Sequence, residues 1–167
     1  MVKNDVPTPD EWEAIKRDVS LGTDGASGAA DASISAELVQ AVIDAARAGL
    51  PNEACGLLVG PDYAADGASP TRYVPLINAA ASPYRYLIDP QEQLRVWLEL
   101  EDANEVPWAI VHSHVASAAV PSATDVGLAF FPDSVYVICS LEGEVPAVRG
   151  WSIRDGAVTE VVLIVTT

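Results

Sequence analysis

The two histidines of the chain stand two residues apart, in His112-Ser113-His114. Imidazole nitrogen is the commonest protein ligand for transition metals. In a strand, residues i and i+2 point to one face, so both rings can converge on one ion. Asp125 follows His114 by eleven residues, within Ser122-Ala123-Thr124-Asp125. Read alone, Ser-x-x-Asp is a capping-box-like helix start. The same geometry turns an Asp in the first helical turn back toward the end of the preceding strand. Two His and one Asp make three protein donors with a fourth position open, the count of a catalytic zinc site rather than a closed structural one. Zinc chemistry also needs a proton acceptor beside the bound water. Glu53, just ahead of an apolar run, is placed to serve. The Ser122 hydroxyl can donate toward an oxyanion.

These residues need rigid elements to position them. Pro107–Ser113 is largely apolar and is predicted to be a central strand, with the histidines where it opens into the loop 115–120. The residues 54–60, AlaCysGlyLeuLeuValGly, are a continuous apolar run of strand length. Thr71–Asn78, Tyr84–Ile88 and Ser134–Leu141 read as further strands. Val148–Arg154 and Ala157–Val165 read as a hairpin around Asp155-Gly156. Ile34, Leu38, Val39, Val42 and Ile43 fall at helical spacing, with Ser35 to cap and Gly49 and Pro51 to end the helix. Asp89-Pro90-Gln91-Glu92 is a helix start with cap, first-turn proline and box glutamate in order. Leu94, Trp97, Leu98 and Glu101 then share a face. Strands that follow each other without an intervening helix argue for a mixed α/β sheet with helices packed on it.

Residues 34–167 form one expected domain, and 1–33 an expected flexible leader. Ser20 to Ser33 is mostly Gly, Ala, Ser and Asp, with almost nothing to bury; a short helix is expected near Asp10–Val19. The formal net charge of −15 repels nucleic-acid phosphates and anionic lipid. With no apolar run of membrane-spanning length and no signal-peptide pattern, the expected location is cytoplasmic. Cys55 and Cys139 sit in apolar runs and read as small buried hydrophobes.

The order Glu53, His112-Ser-His114, seven residues, Ser122, two residues, Asp125 resembles the JAMM motif of the metallopeptidase-active MPN domains. That resemblance implies a curved β-sheet flanked by helices, an architecture like that of the cytidine deaminases. It implies one Zn2+ per chain on His112, His114 and Asp125, with Glu53 as general base and acid and Ser122 stabilising the tetrahedral intermediate. ProAsnGluAlaCysGlyLeuLeuValGly, AsnAlaAlaAlaSerProTyrArgTyr and GlnGluGlnLeuArgValTrp further resemble the bacterial CysO-cysteine peptidase group. The expected partner is then a small ubiquitin-fold sulfur-carrier protein with a Gly-Gly tail, and the expected product is cysteine or a related adduct. Tyr84, Arg85 and Tyr86 are candidates to line a groove for that tail. Two alternatives stand beside this reading: a non-catalytic MPN binding module, and an enzyme that processes a precursor carrier in natural-product biosynthesis. A homodimer stays open.

Overall fold

A computed structural model describes residues 31–167 of the chain. The elements in order are β1 (Ala32–Ser35), α1 (Ala36–Gly49), β2 (Cys55–Gly60), a 3-10 turn (Ala64–Asp66), β3 (Arg72–Leu76), α2 (Pro90–Ala103), β4 (Val106–His114), α3 (Ala123–Gly127), β5 (Val135–Ser140), β6 (Ala147–Arg154), β7 (Ala157–Val161) and β8 (Leu163–Thr166). Six strands form one sheet in the order β3-β2-β4-β5-β6-β7, and β1 pairs with β8 in a second, two-stranded sheet. Within the large sheet only β4 and β5 run parallel; the other neighbours are antiparallel. The expected mixed α/β sheet flanked by helices is the observed architecture.

The strand β4 lies between β2 and β5, and its residues from Pro107 to His114 are all buried. Burial on both faces explains its unbroken apolar run. Pro107 cannot donate to a ladder, and central strands tolerate proline only at irregularities. The register against β2 shifts there: Ala109 faces Leu58 while Pro107 faces Val59, which leaves Trp108 as the extra residue. The Trp108 ring is fully buried, and its indole N–H donates to the Ala68 carbonyl at 2.8 Å.

Alternation along the strands divides the core in two. Ala109, Val111, Val137 and Cys139 face α1 through Leu38, Val42 and Ala46, with Ile34 of β1 beneath. Ile110, Ile138, Leu57 and Cys55 face α2 through Val96 and Leu100. The two free cysteines therefore lie in different layers of the core, one on each side of the sheet. Both helices have the expected N-caps, but Glu92 does not complete the expected box: its Oε2 accepts from the Ile77 N–H, and the Asp89 N–H donates to the Ile77 carbonyl instead. The Ser35 hydroxyl accepts from the Leu38 N–H at 3.3 Å, and Asp89 Oδ1 accepts from Gln91 and Glu92 at 3.1 and 3.0 Å.

Four expectations are corrected. Tyr84–Ile88 is not a strand; only a single bridge, Asn78 to Ile88, is formed. The Asn78 side chain takes the place of a partner strand, accepting from Leu87 N–H and donating to the Arg85 carbonyl. The buried face of α2 is Val96 and Leu100, while Leu94 and Leu98 are exposed. Both pairs have i,i+4 spacing, so periodicity does not choose between them. The stretch Ala157–Val165 breaks at Val162, and its second half leaves the hairpin to pair in parallel with β1. Finally, Ala32 and Ser33, expected in the leader, belong to β1, with Ala32 buried. The rest of the expected leader, and the helix near Asp10–Val19, lie outside the described residues.

Gly56 of β2 shows how tightly the sheet is packed. A Cβ added there would lie 2.5 Å from the Tyr73 hydroxyl and 2.7 Å from the Val74 carbonyl oxygen. The second contact is backbone of the neighbouring strand and cannot swing away. Gly56→Ala is expected to destabilise the fold by about 1–3 kcal/mol, read as a lowered midpoint in urea with little change in slope.

Candidate metal centre

Antiparallel pairing sets the site. Cys55 is opposite His112. One step beyond that pair the Ser113 N–H donates to the Ala54 carbonyl at 2.9 Å, and the Ala54 N–H donates to Ser113 Oγ at 2.8 Å. Continued one residue further, the register brings Glu53 level with His114. Side chains paired across strands share a face, so Glu53, Cys55, His112 and His114 all belong to the α2 side of the sheet.

The loop after β4 is held by side chains beneath it. Ser140 Oγ donates to the Ser117 carbonyl at 2.6 Å, and the Trp151 indole donates to the Ala119 carbonyl at 3.0 Å. This returns the chain to α3, where Ser122 is the N-cap. Its Oγ accepts from Asp125 N–H at 3.1 Å, and Asp125 Oδ2 accepts from Ser122 N–H at 2.7 Å, a reciprocal capping box. The box fixes the Asp125 carboxylate against the histidines: His112 Nε2 lies 3.3 Å from Oδ1, and His114 Nε2 lies 3.3 Å from Oδ2. The two Nε2 atoms are 3.1 Å apart.

This donor set fits a cation. His114 Nδ1 lies 2.7 Å from the Ala118 carbonyl oxygen, an acceptor only, so Nδ1 carries the proton and Nε2 presents a lone pair inward. His112, His114 and Asp125 are all buried, and one ligand atom from each lies within 4.8 Å of the others. Burial holds His112 below the usual imidazole range against the opposing pull of Asp125, so its ring stays neutral. Burial alone would raise Asp125, but its interactions with His112 and His114 prevail and hold it well below the usual carboxylate range. Two imidazoles and a carboxylate aimed at one point suit zinc.

Two buried polar atoms among the described residues have no hydrogen-bond partner: Glu53 Oε2 and His112 Nδ1. Buried unpaired groups are rare and cost stability. Glu53 is only 5 % exposed, and its carboxyl is pushed up to about 9, first by burial and then by the Asp125 charge.

Of the candidate groove residues, Tyr86 reaches the centre. Its ring stacks on His112 at 4.4 Å between centroids and 21° between planes. Tyr84 and Arg85 are exposed beside it. Cys55 adjoins the site but is inert: its thiol donates to the Leu76 carbonyl at 3.7 Å, and burial, with the Glu92 and Glu53 charges, pushes it up to about 12. One residue is not foreseen from the sequence. Asn78 lies at the junction of the Glu53 segment and the Tyr84–Tyr86 segment. Its only signal in the sequence is its place at the head of AsnAlaAlaAlaSerProTyrArgTyr.

A mixed sheet that carries an inward-facing His-His-Asp set and a buried carboxyl on the same face defines a class of metal-dependent hydrolase. Residues 35–154 match the model for prokaryotic homologues of the JAB domain; the chain belongs to that family and is a hydrolase of the JAMM type. It is 48% identical over 128 residues to a CysO-cysteine peptidase of Mycobacterium tuberculosis, covering 76% of this chain and 86% of that protein. It is 36% identical over 120 residues to a desampylase of Haloferax volcanii, covering 69% and 84%. Among solved structures, a protein from Desulfitobacterium hafniense superimposes with a TM-score of 0.72 at 35% identity, over 80% of this chain and 92% of that one. No helix among the described residues is long and apolar enough to cross a membrane.

Proposed function

We propose that the protein is a zinc-dependent peptidase that hydrolyses the bond after the C-terminal Gly-Gly of a small ubiquitin-fold sulfur-carrier protein, releasing cysteine or a related adduct. The observation that carries this reading is the unpartnered, buried Glu53 carboxyl on the sheet face that presents His112, His114 and Asp125. The relative named a CysO-cysteine peptidase and the relative named a desampylase support the substrate class.

In this reading His112, His114 and Asp125 hold the metal. A zinc ion there supplies an acidified water and polarisation of the scissile carbonyl. Glu53 accepts the proton of the attacking water and returns it to the leaving amine. A carboxyl with a raised affinity for protons suits that exchange. The Ser122 oxygen already accepts a hydrogen bond from Asp125 N–H, which leaves its O–H to donate to the carbonyl oxygen as charge develops. A Gly-Gly tail has no side chains to collide with Tyr84, Arg85 and Tyr86, which flank its approach.

The reading is tested by incubating the zinc-loaded protein with a carrier whose Gly-Gly terminus bears cysteine. Mass spectrometry follows loss of the adduct. Release of cysteine to leave a free diglycine end is expected. Tight binding of the carrier with no cleavage would instead support a non-catalytic module. Ser122→Ala is expected to slow turnover on the order of 10²-fold and to cost about 1 kcal/mol of stability through the lost cap. A melt and a rate measurement on the same preparation separate the two effects.

A further inference from the structure

Glu53 has a demanding task and little to aim it. Its Oε2 has no protein partner, so its direction is set by packing and by its backbone. That backbone is clamped on both sides. The Glu53 N–H donates to the Ser82 carbonyl at 2.9 Å, and the Glu53 carbonyl accepts from Asn78 Nδ2 at 2.9 Å.

Asn78 does more than close this clamp. Its Nδ2 also donates to the Arg85 carbonyl at 3.1 Å, and its Oδ1 accepts from the Ala80 and Leu87 N–H groups, each at 3.0 Å. All four hydrogen-bonding positions of one carboxamide are used. The partners fix its orientation, since both acceptors it meets are carbonyls and both donors are amides. One side chain thus ties the Glu53 backbone to the irregular segment whose Tyr86 ring stacks on His112. Backbone pairing adds a bridge from Asn78 to Ile88, with Ala79 N–H donating to the Leu87 carbonyl at 2.7 Å, but neither of these reaches Glu53.

We infer that Asn78 is the positioning residue for Glu53: through its Nδ2 it holds the backbone that aims an otherwise unsupported carboxyl, and it locks that backbone to the Tyr86 segment. This rests on the reading of Glu53 as the proton acceptor of the peptidase. Displacement of a reacting group by about 1 Å costs on the order of 10²-fold in rate. Loss of the Asn78 donor acts on the proton-transfer step and not on metal binding, whose ligands come from β4 and α3.

The test compares two substitutions in the zinc-loaded protein with the carrier–cysteine substrate. Asn78→Asp keeps both acceptor contacts and removes both donors; Asn78→Ala removes all four contacts. Both are expected to bind about one zinc per chain and to lower kcat on the order of 10- to 100-fold. For Asn78→Asp, which retains its hold on Leu87, KM should stay within about twofold. In a Glu53→Gln background, Asn78→Asp should lower the residual single-turnover rate by less than about twofold, because two residues that act as one unit are not additive.

An equal loss in the Glu53→Gln background would show that Asn78 does not act through Glu53 and would overturn the inference. A rate loss confined to Asn78→Asp would assign the effect to the added charge and would overturn it as well. So would loss of zinc, or failure of both variants to fold, since Asn78 would then be a structural residue only. If the wild type itself leaves the carrier adduct uncleaved, it is the proposed function that fails.

Discussion

His114→Ala is expected to yield a folded chain that no longer retains zinc. The His114 ring does two things at once. Its Nδ1 is anchored by the Ala118 carbonyl at 2.7 Å, and its Nε2 lies 3.3 Å from Asp125 Oδ2 and 3.1 Å from His112 Nε2. Removal of the ring leaves His112 and Asp125 alone, and two donors do not hold zinc in a site built for three. Disturbing only the partner of a metal-bound histidine commonly lowers affinity 10- to 100-fold. Deletion of a direct ligand is expected to exceed that, so metal analysis after dialysis should fall from about one zinc per chain to almost none.

The fold should survive this change better than the activity. The metal residues occupy the end of β4 and a five-residue helix, while most of the core is formed by the apolar layers on either side of the sheet. Metal that binds only the native state adds to stability by mass action, about 2.7 kcal/mol at 100 times its dissociation constant. Chelation of the wild type should therefore lower its melting temperature, and the same chelator should leave the melt of His114→Ala unchanged. If the wild type binds no zinc after reconstitution, or if His114→Ala binds it as well, the metal assignment is wrong.

The donor set is legible in the sequence because it is local. His112 and His114 share a strand face by the period of two, and Ser122 and Asp125 share a helix start by the capping box, so two short patterns report the three proposed ligands and a hydroxyl. Glu53 is less accessible to such reasoning. What places it beside His114 is the pairing of β2 with β4 across 59 residues, sealed by Ala54 N–H on Ser113 Oγ. The segment after β3 misleads for a related reason. Tyr84–Ile88 has the composition of a strand, yet the Asn78 side chain takes its Arg85 carbonyl and Leu87 N–H, and backbone pairing is limited to one bridge at Ile88. Contacts of this kind have no period, so nothing in the spacing marks Asn78, although its neighbours stand out. The two faces of α2 and the departure of β8 to join β1 are likewise settled by packing, not by spacing.

Glu53→Gln is expected to separate activity from stability in opposite directions. Glutamine keeps the size of the side chain and cannot accept the proton. Turnover should fall on the order of 10²- to 10⁴-fold, the usual contribution of a positioned general base, with zinc content unchanged. Stability of the metal-free protein should rise. Burial and the Asp125 charge raise the Glu53 carboxyl from 4.5 to about 9. The folded chain thus binds a proton that the unfolded chain releases above its ordinary value. Stability from this group is fully present below pH 4.5 and is lost as pH rises toward 9. His112 is shifted the other way, since its burial favours the fold above the ordinary imidazole range, but it is present in both proteins and largely cancels in their difference. Between about pH 6.5 and 8.5 the metal-free wild type should therefore lose about 2–3 kcal/mol relative to Glu53→Gln. Denaturant melts of the two chelated proteins at several pH values measure this directly. Parallel curves would mean that Glu53 is already ionised in the fold, and its place as a poised proton acceptor would then be lost. A bound cation favours the ionised carboxylate, so zinc should flatten the wild-type slope.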